Sequence, residues 1–254
     1  MLGPVALACL WLGGAAFVAL IGVGAVGCLA EWLRLCGRSP SDPASVAGFA
    51  GLAAAIVATV LGAPLGGVAA LAAAGALAAF LAPASRHRAL VGLGVPYVGC
   101  AAVALVWLRA DPVAGRADLI FLVLTIWGSD IGAYAAGRLI GGPKLAPLIS
   151  PGKTWSGAVG GLAGACLAGV LAAALFPVPL DLPRTIAVAA LLGAVGEAGD
   201  LLESLAKRHF GVKDSGSAIP GHGGLLDRLD ALILAAPVAG LLAFALGRGV
   251  VLWQ

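Results

Sequence analysis

Charge is what this sequence has least of. Of its 254 residues 11% are charged and 61% hydrophobic, and the mean hydropathy is +1.06. A soluble domain carries about 25% charged residues, so this scarcity excludes an ordinary soluble fold. Alternation is missing too: no stretch switches between apolar and polar over the roughly ten residues that a membrane-barrel strand requires. The five cysteines (Cys9, Cys28, Cys36, Cys100 and Cys166) contain no CxxC pair and sit in apolar segments. That removes a zinc site or a disulfide framework and leaves small packing residues. A net charge of only +3 offers no footprint for nucleic acid. The GxxxxGK[ST] spacing of a Walker A loop is also absent.

What is present is a succession of apolar runs, each near the roughly 20 residues that cross a bilayer. The first, Leu2 to Ala30, lacks a basic leader and is too long for a signal-peptide core. It reads as one tilted span, with a hairpin turning at Gly13-Gly14 as the alternative. Further runs are Val46 to Leu61, Leu65 to Ala82, Leu90 to Leu108, Leu119 to Ile140, Gly157 to Phe176, Ile186 to Leu205 and Ala231 to Leu246. The expected fold is therefore all-α: a polytopic transmembrane helical bundle of eight or nine spans. It is read as a single membrane domain over 1–254, with N-terminal spans in 1–118 and the chemically rich half in 119–254. Gly157, Gly160, Gly161, Gly164 and Gly169 fit close helix packing.

The basic residues orient these spans. Loops after the first, third, fifth and seventh hold Arg34 and Arg38; Arg86 and Arg88; Arg138, Lys144 and Lys153; Lys207, Arg208, Lys213 and Arg228. The intervening loops and the tail hold Arg109, Arg116, Arg184 and Arg248. Eleven against four is a positive-inside pattern, so the odd-numbered loops are expected in the cytoplasm.

Ionisable groups inside the spans are costly, about 2.5–3.5 kcal/mol each on insertion scales, and need a partner or a cavity. Asp130, Tyr134 and Arg138 recur on one helix face, which suits either a packing pair or a cavity wall. Glu197, Asp200, Ser204 and Lys207 form a second stripe, with Glu203 beside it. Several carboxylates on one face call for a cation, and oxygen ligands without cysteine or paired histidine suit Mg²⁺.

Two loops adjoin these stripes. In Gly141 to Gly157, Ser150-Pro151-Gly152-Lys153-Thr154 offers hydroxyls, amides and an ammonium ahead of a helix N-terminus. That suits an anion cradle or an interfacial lysine against lipid head groups. The other, Ser204 to Asp230, gathers Lys207, Arg208, Lys213, Asp214, His222, Asp227, Arg228 and Asp230 within 27 residues. Helix is expected to resume near Leu225, placing Asp227 and Asp230 on one face and adding its N-terminal partial charge to the phosphate site. Gly223 and Gly224 permit close backbone approach. His222 suits a structural or a catalytic role. Acidic metal ligands beside basic phosphate clamps describe phosphoryl or nucleotidyl transfer.

These residues resemble a family. Ser204-Leu205-Ala206-Lys207-Arg208, Lys213-Asp214 and Pro220-Gly221-His222-Gly223-Gly224-Leu225-Leu226-Asp227-Arg228-Leu229-Asp230 are similar to the signature of the phosphatidate cytidylyltransferases, or CDP-diacylglycerol synthases. Ser129-Asp130 with Tyr134, Gly137 and Arg138, Ser150-Pro151 with Lys153-Thr154, and Gly199-Asp200-Leu201 resemble further family motifs. Ser156 departs from the usual glutamate and Glu197 from a common glutamine. The resemblance implies transfer of CMP from CTP to phosphatidate with Mg²⁺, releasing pyrophosphate. It makes Asp200 and Asp227 the expected metal ligands, with Asp230 supporting them. Lys207, Arg208, Lys213 and Arg228 would hold phosphates, with Ser150, Lys153 and Thr154 completing the substrate site beside Asp130, Arg138, Asp214, His222, Gly223 and Gly224. The expected setting is the inner membrane with the site facing the cytoplasm, membrane lipid as neighbour, no nucleic acid, and a homodimer as the candidate assembly. The rival readings are a CTP-dependent lipid kinase of the same superfamily and an ion-coupled transporter.

Overall fold

The computed structural model describes residues 2–83, 87–216 and 223–254. Arg86, Pro220, Gly221 and His222, singled out above, lie outside the described residues. Eight helices are long and apolar enough to cross a membrane. The chain divides into two compact units, residues 1–110 with 210–229, and 111–209 with 230–254. Most of the expected signature loop thus groups with the N-terminal helices rather than with the residues from 119 onward.

The first unit contains α1 (Leu2–Leu12), α2 (Gly14–Leu35), α3 (Pro43–Val60), α4 (Pro64–Leu81) and α5 (Arg88–Arg109). The first apolar run is therefore not one continuous span. It breaks at Gly13, whose φ of 69° costs a glycine little and other residues much. At 11 residues, α1 is about 16 Å long, half of the roughly 30 Å hydrocarbon core. The span is α2. Arg109 secures the break: its Nε donates to Leu10 O at 2.7 Å and its Nη2 to Trp11 O at 2.9 Å. Those carbonyls end α1 and have no partner within it. Pro43 and Pro64 open α3 and α4, where a missing N–H costs nothing. The α3–α4 turn closes through Gly62 N to Thr59 O at 3.0 Å and Ala63 N to Ala58 O at 2.8 Å. As the short Gly62-Ala63-Pro64 link requires, these helices pack together.

The second unit contains α6 (Gly115–Leu139), α7 (Trp155–Ala173), α8 (Leu182–His209) and all but the first turn of α9 (Leu226–Leu246). Glycines let α6 and α7 meet backbone to backbone. A Cβ on Gly160 would lie 2.8 Å from Gly132 O, and one on Gly128 would lie 2.7 Å from Gly164 O. Between these helices the chain forms a hairpin, β1 (Lys144–Ala146) antiparallel to β2 (Ser150–Thr154), where a proline-stiffened irregular loop was expected. The C-terminal tail folds onto the same unit. Leu252 N donates to Asp118 Oδ1 at 2.9 Å, Gly249 N donates to Asp111 Oδ2 at 2.8 Å, and buried Trp253 stacks on Phe121. Burial pushes the Asp111 carboxyl up, but bonds from Ala114, Gly249 and Val113 and the charge of Arg248 outweigh it and hold it below its ordinary value.

Candidate active site

In the second unit the site grows from β2 and α8. Thr154 ends β2 and caps α7, accepting from Gly157 N at 3.0 Å, the ordinary service of a threonine at that position. Ser156, where a glutamate is expected, donates to Gly141 O and so closes the hairpin's base. With the strand fixed at both ends, Lys153 reaches α8. Its Nζ lies 2.7 Å from Asp200 Oδ2, both groups half-exposed, and 3.5 Å from Glu197 O. Ser204 Oγ approaches Asp200 Oδ1 at 3.4 Å.

Three more carboxylates act on Asp200. Asp130 of α6, Glu197 of α8 and Asp230 of α9 interact electrostatically with Asp200, each repelling it. Glu197 fits because Gly161 has no side chain there. Its Oε1 is buried without a hydrogen-bond partner, and Ser129 stands beside it outside hydrogen-bonding geometry. Asp230 Oδ1 accepts from Ala231 N at 2.8 Å.

The other expected phosphate clamps make contacts within the protein. Lys207 pairs with Glu203, which is 1% exposed, and its charge also acts on Asp230. Arg208 Nε donates to Ile149 O at 3.2 Å, tying α8 to the hairpin turn. Arg138 Nη1 donates to Tyr134 OH at 2.7 Å on the exposed side of α6. Ser150 opens β2 opposite Ala146.

The first unit holds the described part of the signature loop. Lys213, Asp214 and Arg228 are exposed. Asp227 Oδ2 accepts from Ser215 N at 2.9 Å, Ser215 Oγ at 3.0 Å and Gly224 N at 2.8 Å. Gly223 has a φ of 83°, which favours glycine at this turn. One residue that sequence reasoning passed over joins them: Glu31 of α2, 2% exposed. Its Oε1 accepts from Leu225 N at 2.9 Å, and its Oε2 from Leu226 N at 2.8 Å and Ser215 Oγ at 2.9 Å. The α9 N-terminus, expected to face phosphate, thus has the N–H groups of Leu225 and Leu226 turned onto a carboxylate of the protein. The one signal available was that Glu31 is the first carboxylate in the chain, at the end of an apolar run.

The sequence profile of the cytidylyltransferase family matches residues 1–246. The chain belongs to this family. A relative from Brucella suis, named phosphatidate cytidylyltransferase, is 39% identical over 239 residues, covering 93% of this chain and 87% of its own length. One of the same name from Pseudomonas aeruginosa is 42% identical over 165 residues, 65% of this chain and 60% of the relative. Another from Staphylococcus haemolyticus is 39% identical over 150 residues, 59% of this chain and 56% of the relative. The match covers all eight spans and leaves out residues 247–254, so the N-terminal helices belong to it along with the signature.

Proposed function

We propose that this chain is a phosphatidate cytidylyltransferase, transferring CMP from CTP to phosphatidate to give CDP-diacylglycerol and pyrophosphate. The observation that carries this reading is the family match over residues 1–246, together with relatives of that name over most of the chain. In the reaction an oxygen of the lipid phosphate bonds to the α-phosphorus of CTP. The bond from that phosphorus to the oxygen bridging to the β-phosphorus breaks, and its electron pair leaves with pyrophosphate. The lipid phosphate dianion is itself the nucleophile, so no protein group has to remove a proton.

A divalent cation suits the second unit. Asp130, Glu197 and Asp230 each interact there with Asp200, Lys153 acting on Asp130, Glu197 and Asp200 and Lys207 acting on Asp230, and Glu197 Oε1 is buried without a hydrogen-bond partner. Among the described residues no three acidic, histidine or cysteine side chains converge as a ready-made metal cage. Mg²⁺ needs none, since it keeps waters and takes one or two carboxylates plus substrate phosphates. Asp200 is the first choice of ligand; a share for Asp227 rests on the signature alone. When bound, Mg²⁺ neutralises charge on the triphosphate. Lys153 holds Asp200 in place and can exchange that carboxylate for a phosphate oxygen. Lys213 and Arg228, exposed at the signature loop, are the candidate phosphate cations of the signature in the first unit. We place the protein in the bacterial inner membrane with its basic loops in the cytoplasm, on the distribution of arginine and lysine.

The test is incubation of the purified chain in detergent with CTP, phosphatidate and Mg²⁺. CDP-diacylglycerol and pyrophosphate in equal amounts are expected. Phosphorylated lipid with CDP would replace this reading with that of a lipid kinase.

A further inference from the structure

Glu31 lies outside every motif in the sequence, yet it accepts three hydrogen bonds from residues of the signature loop. A carboxylate at 2% exposure is costly unless its oxygens are paired. Here all three donors come from Ser215, Leu225 and Leu226, residues 184 to 195 positions away in sequence. The Ser215 hydroxyl stands between two carboxylates, 2.9 Å from Glu31 Oε2 and 3.0 Å from Asp227 Oδ2. One hydroxyl has one proton to give, so the two carboxylates share it, and the position of each depends on the other.

The surroundings are shaped for this contact. A Cβ on Gly224 would collide with Ser215 Oγ and Glu31, and one on Gly216 would press into the Glu31 side chain. One turn earlier on the same face of α2, a Cβ on Gly27 would lie 2.8 Å from the Leu225 side chain. Gly27 and Glu31 therefore form a seat on α2 for the residues that lead into α9.

We propose that Glu31 is a positioning residue for the transfer reaction: through Ser215 and the N–H groups of Leu225 and Leu226, it fixes the orientation of Asp227. This rests on the reading of Asp227 as a group of the transferase site. Among the described residues three bonds go to Asp227 Oδ2, so the clamp fixes the direction of the carboxylate. Glutamine cannot replace Glu31, because its single oxygen meets only some of the three donors and its NH₂ faces the others.

The experiment compares the full-length wild type, Glu31→Gln, Ser215→Ala and the double variant in detergent. Turnover is read beside hydrogen exchange at the Leu225 and Leu226 amides. Glu31→Gln is expected to lower kcat on the order of 10- to 100-fold, with KM for CTP and phosphatidate within about twofold, and to speed exchange at both amides. Ser215→Ala, which leaves the two backbone bonds to Glu31 in place, lowers kcat less. The double variant is no worse than Glu31→Gln, since the two act as one chain. A Glu31→Gln protein with wild-type kcat, or with unchanged exchange at those amides, overturns the proposal. If Glu31→Gln does not fold, wild-type kcat in Ser215→Ala overturns it. A wild type that makes no CDP-diacylglycerol sinks the proposed function instead, and the exchange rates still decide whether Glu31 clamps the loop.

Discussion

Lys153 and Asp200 form the ion pair around which the second unit's carboxylates are arranged, and the pair is half-exposed. An exposed pair contributes little stability, about 0–1 kcal/mol, while its place among Asp130, Glu197 and Asp230 gives it control of local charge. Asp200→Asn is therefore expected to cost turnover on the order of 10²- to 10³-fold with unchanged membrane yield and Tm. Near-normal kcat would remove Asp200 from the site. Lys207 behaves in the opposite way. Its partner Glu203 is 1% exposed, and breaking a buried pair costs about 3–5 kcal/mol. Lys207→Ala should lower Tm by several degrees, and adding Glu203→Gln should recover most of the loss; a Tm unchanged in the single variant would contradict this. The residue types of Asp200, Lys153 and Lys207 announced themselves in the sequence, but the difference between a partly exposed ion pair and a buried one did not. It depends on burial, which spacing along α8 cannot show. Glu31 and Ser215 were silent for a related reason: their bonds join positions far apart in the chain, and neither residue lies on a stripe of like residues.

Elements repeat the contrast. Bounds of the last seven of the eight spans could be read from hydropathy to within a few residues, because a helix in lipid must satisfy its own backbone and be apolar along its length. The break at Gly13 needed the structure, since the carbonyls it frees are met by Arg109 from α5. The β1–β2 hairpin was hidden by Pro147 and Pro151, which mark a non-helical loop without revealing that its flanks pair. The C-terminal tail carries no polarity pattern either, yet its Trp253 is fully buried against Phe121 and Phe176. Trp253→Ala is expected to cost about 3–5 kcal/mol, read as a lower Tm in detergent. A Tm equal to that of the wild type would mean that the tail adds nothing to the second unit.

For the whole molecule, eight helices are long and apolar enough to cross a membrane, and the family match runs from residue 1 to residue 246. The apolar composition that excluded a soluble fold also made the charged residues informative, because each one in a span must be met by a partner. Fifteen basic residues are divided eleven to four between alternate loops, the asymmetry on which the proposed orientation rests. That soluble CTP and a bilayer lipid are the two substrates explains why an enzyme of this kind would keep its polar side chains at span ends. The most direct test of the central claim uses CTP labelled separately at the α- and γ-phosphorus, with unlabelled phosphatidate and Mg²⁺. The account predicts that the α-label enters the lipid fraction and the γ-label leaves as pyrophosphate. A γ-label recovered in lipid, with the α-label left behind in soluble CDP, would contradict it.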